Sequence, residues 1–175
     1  TMESEKMDAL EGKNLPAATL PATDGAEIKL GGLAGWNAFY FYPRTSPPDA
    51  PPIPGWDQIP GARGCTPQSC GFRDNHADLI AAGTSKVLGV STQDTAYQSE
   101  VVQRLHLPFS LLSDPELMFH QELGLPIFEA GGLTLYARTT LITFGTEIRK
   151  VFRPIPDPAS NAEAVLAFIT AQQQQ

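Results

Sequence analysis

The aromatic run Trp36-Asn-Ala-Phe-Tyr-Phe-Tyr42 stops at Pro43, and seven prolines fall within the eighteen residues from Pro43 to Pro60. Proline has no backbone N–H and its ring clashes inside a helix, so neither a helix nor a central strand tolerates that density. Residues 43–60 are therefore expected to be a long ordered loop with polyproline-like segments, inserted between two core elements. The aromatic run itself, bounded by Gly35 and Pro43, suits a buried central strand.

Around this boundary the chain alternates strand and helix signals. Residues 1–11 read as a flexible polar lead-in. Ala17–Pro21 and Glu27–Leu30 flank Asp24-Gly25, a hairpin signal. After the insertion, Thr66 as cap and Pro67 at the first helical position predict a helix running to Ala82 and stopped by Gly83. Lys86–Ser91 reads as a strand, and Thr95–Leu105 as a helix capped by Asp94 or Thr92. Phe109–Leu112 reads as a short strand, and Asp114-Pro115 opens a helix to Leu123. Thr139–Phe144 and Glu147–Phe152 form a hairpin through Gly145-Thr146, Asn161–Ala171 a last helix, and Gln172–Gln175 a frayed tail. This order predicts an α/β fold of the thioredoxin-like pattern, one domain over residues 1–175. A mixed central sheet is flanked by helices, and an N-terminal β-hairpin extends it.

Composition removes several function classes. The share of hydrophobic residues (42%) and of charged residues (18%) is that of a globular chain with a core. Net charge is −7, and no basic cluster is denser than Arg149-Lys150 plus Arg153, so no nucleic-acid partner is expected. No apolar run approaches the roughly 20 residues that span a bilayer. The N-terminus lacks the apolar segment of a signal peptide, which predicts a cytoplasmic protein. In that reducing compartment two nearby cysteines point to redox or metal chemistry more than to a structural staple.

Cys65 and Cys70 are the two cysteines of the chain. Cys65 precedes Thr66-Pro67 at the mouth of a predicted helix, where unpaired N–H groups and the helix dipole favour a thiolate. Arg63 is positioned to add a cation, and Gly64 lets the backbone approach closely and leaves room for a small substrate. Cys70 lies five residues along the same helix, which sets the two side chains about 140° apart and their α-carbons roughly 8–9 Å apart. A disulfide needs α-carbons within about 7 Å, so the pair can be oxidised only if the helix opens by at least its first turn. A metal site is not expected, because a C-x4-C spacing has no second Cys/His pair to complete it. His76, His106 and His120 are scattered and read as surface or cap residues.

Cys65-Thr-Pro-Gln-Ser-Cys-Gly-Phe-Arg-Asp74 resembles the Cys-Thr-x-Glu-x-Cys-x-Phe-Arg-Asp signature of peroxiredoxins of the bacterioferritin-comigratory-protein, or PrxQ-like, type. Four further segments match in register. They are Leu15–Gly25, Phe39-Tyr-Phe-Tyr-Pro43, Val87–Ser91 with Leu107–Pro115, and Arg138-Thr-Thr-Leu-Ile142. The resemblance implies a thiol peroxidase without cofactor, acting on hydrogen peroxide or an alkyl hydroperoxide. Cys65 would attack the peroxide, Cys70 would resolve the sulfenic acid as a disulfide, and thioredoxin or a similar dithiol protein would reduce it. Arg138 would stabilise thiolate and leaving oxygen, Pro43 would shield the thiolate, and Gln68 stands where the family often has Glu and would bond an arginine. Thr66 and Gly64 complete the implied substrate contacts.

Two departures stand out. Ala62 occupies the place of the hydroxyl residue that normally bonds the peroxide, leaving Thr45, Ser46 or Thr66 to replace it. The insertion must also lie near the site, either lining it or forming a subunit contact through Ile53 and Trp56. The resemblance leaves monomer and homodimer equally open. Two other readings stay possible on the residues alone: a thioredoxin-like dithiol–disulfide oxidoreductase, against which the spacing counts, and a non-catalytic redox sensor.

Overall fold

A computed structural model describes residues 2–46 and 50–174. The chain runs α1 (Met2–Asp8), β1 (Thr19–Pro21), β2 (Glu27–Lys29), β3 (Trp36–Phe41), α2 (Cys65–Asp74), α3 (His76–Ala81) and β4 (Thr84–Ser91). It continues with α4 (Thr95–Leu105), β5 (Leu111–Ser113), α5 (Met118–Leu123), β6 (Ile127–Ala130), β7 (Leu133–Tyr136), β8 (Thr139–Phe144), β9 (Glu147–Phe152) and α6 (Asn161–Gln173).

Five strands form the central sheet in the order β5-β4-β3-β8-β9. β3, β4 and β5 are mutually parallel, β8 runs antiparallel to β3, and β9 runs antiparallel to β8. β3 is the middle strand, and every residue from Trp36 to Phe41 is buried. Successive side chains of a strand point to opposite faces. Ala38, Tyr40 and Tyr42 accordingly join Phe72, Leu79, Val101, Val165 and Ile169 from α2, α3, α4 and α6. Phe39 and Phe41 meet Met7, Leu20, Phe119 and Tyr136 on the other face. The architecture is thioredoxin-like, a mixed sheet covered on both sides, with the β1–β2 hairpin added at the N-terminus.

Several local expectations are corrected. The lead-in is not loose over the described residues: residues 2–8 are helical, and Met7 and Leu10 are buried because the otherwise polar segment carries an apolar residue at each of these positions. (Thr1 lies outside the described residues.) The tail expected to fray is helical through Gln173; Gln175 lies outside the described residues. The helix predicted from Thr66 to Ala82 is broken at Asn75, whose side-chain amide donates to the Gly71 carbonyl at 2.8 Å and competes with the helical ladder. The helix predicted from Asp114 begins at Met118, because the Asp114 carboxylate reaches forward to the N–H groups of Met118 and Phe119 and also accepts from the Tyr136 hydroxyl at 2.6 Å. β5 starts at Leu111, two residues later than expected.

One pair of strands was not anticipated. β6 and β7 form a hairpin closed by Gly131 and Gly132, both with positive φ. A Gly-Gly pair between apolar runs is a hairpin signal, so it was readable. Its importance lies in what rests on it. Ile53 of the insertion sits 3.2–3.3 Å from where a Cβ of Gly131 would be, and Trp56 packs 6.2 Å from Phe128. The insertion is anchored at its start as well. The Gln93 side chain accepts from the Thr45 N–H at 3.0 Å and donates to the Thr45 carbonyl at 2.8 Å, and Arg104 donates to the Ser46 carbonyl. Of the loop expected to hold polyproline-like segments over residues 43–60, residues 47–49 lie outside the described residues.

Candidate active site

Helix α2 begins at Cys65 itself, with Gly64 rather than Thr66 in the capping position. Gly64 has φ +107°, which L side chains rarely adopt, and a Cβ there would stand 2.6 Å from Pro158 Cγ. The close approach expected of Gly64 is therefore to the segment before α6. Pro67 falls in the first helical turn, where its missing N–H costs no hydrogen bond.

Cys65 is buried, and its sulfur has two polar neighbours. Arg138 Nη2 donates to it at 3.2 Å, and the thiol, when protonated, points toward the Ala62 carbonyl at 3.8 Å. Arg138 lies in the two-residue link between β7 and β8, immediately before Thr139. The residue is only 3% exposed, which makes the partners of its guanidinium decisive, since a buried cation without acceptors is costly. Nη2 also donates to the carbonyls of Ala62 and Arg63 at 3.0 Å each, and Nη1 donates to Gln68 Oε1 at 2.6 Å. Its Nε is buried without a partner among the described residues.

Gln68 is fully buried, and its amide nitrogen donates to Asn161 Oδ1 at 3.1 Å, which also accepts from the Thr140 hydroxyl at 2.8 Å. Arg138, Gln68, Asn161 and Thr140 thus form one buried chain joining the strand, α2 and the start of α6. Thr140 falls in the Arg138-Thr-Thr-Leu-Ile142 segment that carries the resemblance, which implies no role for it, and Asn161 carries no local signal beyond opening the last predicted helix.

Beneath the helix, Tyr40 and Ser69 share a buried hydrogen bond of 2.9 Å, and Tyr40 stacks on Phe72 with ring centroids 4.6 Å apart. Burial first, then the neighbouring Tyr42, push the Tyr40 phenol well above its ordinary range, so it is a neutral hydroxyl. Gly89 leaves room for this ring: a Cβ there would meet Tyr40 at 2.7 Å.

Cys70 is partly buried and packs against the same core cluster, and both cysteines are free thiols. α2 is intact from Cys65 to Asp74, so the five-residue separation lies along a continuous helix.

A cleft of about 970 Å³ opens above Cys65. Gly64, Cys65, Thr66 and Arg138 line it, together with Thr45, Ser46, the insertion from Ala50 onward, and residues 153–159. Gln68 bonds an arginine as the resemblance implies, but it lies behind Arg138 rather than in the cleft, so it is not a substrate contact. Pro43 is buried just after β3 and is not among the residues lining the cleft. Pro43 is displaced because the chain turns there and it is Arg44, Thr45 and Ser46 that face the opening. Arg63 does not supply a cation to the sulfur: its side chain is exposed and pairs with Asp57 at 3.6 Å, and only its carbonyl enters the site. The described residues hold no cluster of His, Cys, Asp and Glu suited to a metal ion, and no helix among them is long and apolar enough to cross a membrane.

A buried sulfur at a helix start, faced by a fixed guanidinium, defines a thiol-chemistry site on this fold, and the chain belongs to the redoxin family, which matches residues 10–166. Chloroplastic peroxiredoxin Q of Suaeda salsa is 29% identical over 91% of this chain and 67% of its own length. The putative peroxiredoxin bcp of Coxiella burnetii is 32% identical over 66% of this chain and 67% of its own. Peroxiredoxin Q of Oryza sativa subsp. japonica is 34% identical over 75% of this chain and 53% of its own, so the chain spans one half to two thirds of these relatives. Peroxidoxin BcpB of Mycobacterium tuberculosis shares the fold at a TM-score of 0.73 and 21% identity, covering 92% of this chain and 96% of that one. Peroxiredoxin Q of Xanthomonas campestris does so at 0.71 and 20%, covering 91% and 97%. Within the redoxins the chain is a peroxiredoxin of the Q, or bcp, type, a class of thiol peroxidases.

Proposed function

We propose that Cys65 is the attacking residue of a hydroperoxide reductase and Cys70 its resolving thiol. The observation that carries this reading is the 3.2 Å contact from Arg138 Nη2 to a Cys65 sulfur that starts α2 and lines the cleft. The guanidinium and the helix start both favour negative charge on that sulfur.

The Cys65 thiolate attacks the terminal oxygen of the hydroperoxide. The S–O bond forms as the O–O bond breaks, sulfur is oxidised to a sulfenic acid, and the leaving oxygen takes up the proton the thiol gave to solvent, becoming an alcohol or water. Arg138 stabilises the charge that grows on the leaving oxygen. The N–H groups of Cys65 and Thr66 start the helix and have no acceptor four residues back, so they stand in for the hydroxyl that Ala62 cannot provide. Thr45 is the weaker candidate, since its hydroxyl lies 3.4 Å from Gln93.

Cys70 then attacks the sulfenic sulfur, giving a disulfide and water, and a thioredoxin-type dithiol protein restores both thiols while becoming a disulfide itself. Because an intact α2 holds the two α-carbons too far apart, resolution includes unwinding of that helix. Peroxide consumption coupled to a thioredoxin system tests the assignment. Cys65→Ser should consume none, and Cys70→Ser should consume one equivalent and leave a sulfenic acid that a dimedone probe labels. Full turnover by Cys65→Ser would overturn it.

A further inference from the structure

The cleft and Arg138 serve Cys65, whereas the resolving step has a requirement of its own. A thiol attacks a sulfenic sulfur as its thiolate. Cys70 lies inside α2, away from the helix start that favours charge on Cys65.

Helix α2 is held down in two halves that meet at Cys70. Before it, Gln68 is bonded to Arg138 and Asn161, and Ser69 to Tyr40. After it a second set of contacts takes over. Arg73 Nη1 donates to the Leu105 carbonyl at the end of α4 at 2.9 Å, and the Gly71 carbonyl accepts from the Asn75 side chain at 2.8 Å. Gly71 is also pressed against the segment before α6, where a Cβ on it would stand 2.6 Å from the Ala159 carbonyl oxygen. Opening the first turn of α2 breaks the first set and none of the second.

Arg73 lies three residues after Cys70, and side chains at that spacing are neighbours on one flank of a helix. Both meet the end of α4: Cys70 packs against the cluster that contains Leu105, whose carbonyl Arg73 holds. Arg73 Nε donates to Asp74 at 2.9 Å. That hydrogen bond first, and then negative charge at Cys70, raise the Arg73 guanidinium above its ordinary value. The charged groups of the surrounding elements are engaged or turned away. On α4, Arg104 pairs with Glu100, and His106 just beyond is exposed. On α3, His76 lies against Phe109, where burial pushes it toward its neutral form, and Asp78 is exposed. Tyr40 of β3 is neutral, and Glu163 of α6 is exposed.

We infer that Arg73 is the cation of the resolving step, positioned to stabilise the Cys70 thiolate as Arg138 stabilises that of Cys65. The inference rests on the peroxidase reading above and concerns its second half. Because Arg73 is tied to α4 beyond the turn that opens, it stays beside Cys70 while the freed residues bring Cys65 to it. The Cys70 thiolate attacks the sulfenic sulfur, and the S–S bond forms as the S–O bond breaks. Cys70 is oxidised, the sulfenic sulfur is reduced to the disulfide level, and the departing hydroxide takes from solvent the proton that the thiol had released.

The test is a single turnover. Reduced protein is mixed with one equivalent of hydrogen peroxide, and sulfenic acid and disulfide are quenched and counted by mass spectrometry from about pH 6 to about pH 9, a range that brackets the ordinary cysteine value. Resolution by the native protein should quicken with pH and then level off. Arg73→Gln should slow it about two- to fivefold at neutral pH, the range of a partly exposed ion pair, and move the profile to higher pH. Arg73→Lys, which keeps the charge, should restore most of the rate. Asp74→Asn removes the anion that offsets Arg73 and should move the profile to lower pH. It alters an exposed side chain, so it gives a result even where Arg73→Gln folds poorly. Oxidation of Cys65 is the internal reference, since neither Arg73 nor Asp74 lines the cleft. A native resolution rate independent of pH, or a profile that neither substitution moves, would overturn the inference while leaving the peroxidase reading in place. A native protein that forms no sulfenic acid would overturn the peroxidase reading itself.

Discussion

Gln68 accepts a 2.6 Å hydrogen bond from Arg138, so the cation that faces Cys65 is held by the same helix that Cys65 begins. The guanidinium is buried, and its aim depends on α2 remaining helical through that first turn. Reduced thiol, folded helix and oriented arginine form one mutually dependent arrangement. Gln68→Leu is expected to leave Arg138 Nη1 without its acceptor, lowering stability by about 1–3 kcal/mol, while Asn161 Oδ1 keeps the Thr140 hydroxyl. It should also slow reaction with peroxide. Arg138→Ala is expected to cost roughly 10²–10³-fold in that rate, the loss typical of removing a preorganised donor. Stopped-flow oxidation and urea denaturation of the two variants measure both effects.

Oxidation should be visible as loss of helix. Formation of the Cys65–Cys70 disulfide is expected to deprotect the α2 amides, while the amides of α4 and α6 keep their protection. Hydrogen exchange on the reduced and oxidised forms checks this, and unchanged protection of α2 in a verified disulfide form would contradict it.

The hydrogen bond between Tyr40 and Ser69 opposes that unwinding, since both groups are buried and Ser69 lies between the cysteines on α2. Ser69→Ala leaves the Tyr40 hydroxyl unpaired, whereas Tyr40→Phe with Ser69→Ala removes both partners. The single variant should be the less stable. The double variant should resolve its sulfenic acid faster than the native protein and be harder to over-oxidise to the sulfinic acid. Mass spectrometry after graded peroxide doses gives the readout.

Gly64→Ala forces an alanine to φ +107° and drives its Cβ against Pro158. Backbone strain of this kind costs about 1–3 kcal/mol. Because Cys65 follows directly, the variant should also react more slowly with peroxide. Denaturant midpoints together with oxidation rates test the pair of effects.

Burial raises the phenols of Tyr40, Tyr42 and Tyr136 above their ordinary range. Each is harder to ionise in the folded chain than in the unfolded one. The stability they contribute is therefore fully present below the unfolded value of about 10 and is lost as pH rises past it. Denaturant midpoints measured from about pH 8 to about pH 11 should fall steeply at the alkaline end.

The sequence by itself determined the alternation of strands and helices, the burial of the Trp36–Phe41 strand, the closing hairpin at Gly145-Thr146, and the placement of Cys65 at a helix start, and it narrowed the cap of α4 to Asp94 or Thr92. These features are legible because periodicity, caps and turn residues act over a few neighbouring positions. The tertiary structure alone decided that Asn161 and Thr140 hold Gln68, that Pro158 closes on Gly64, and that Arg63 turns outward while Arg44 lines the cleft. It also decided that the proline-rich insertion folds back on the β6–β7 hairpin as a wall of the site. Gln68 and Asn161 are 93 positions apart in the chain, and Arg138 and Cys65 are 73 apart. Motif resemblance could suggest that an arginine faces Cys65, but which groups hold that arginine depends on how two faces of a folded sheet bring distant segments together.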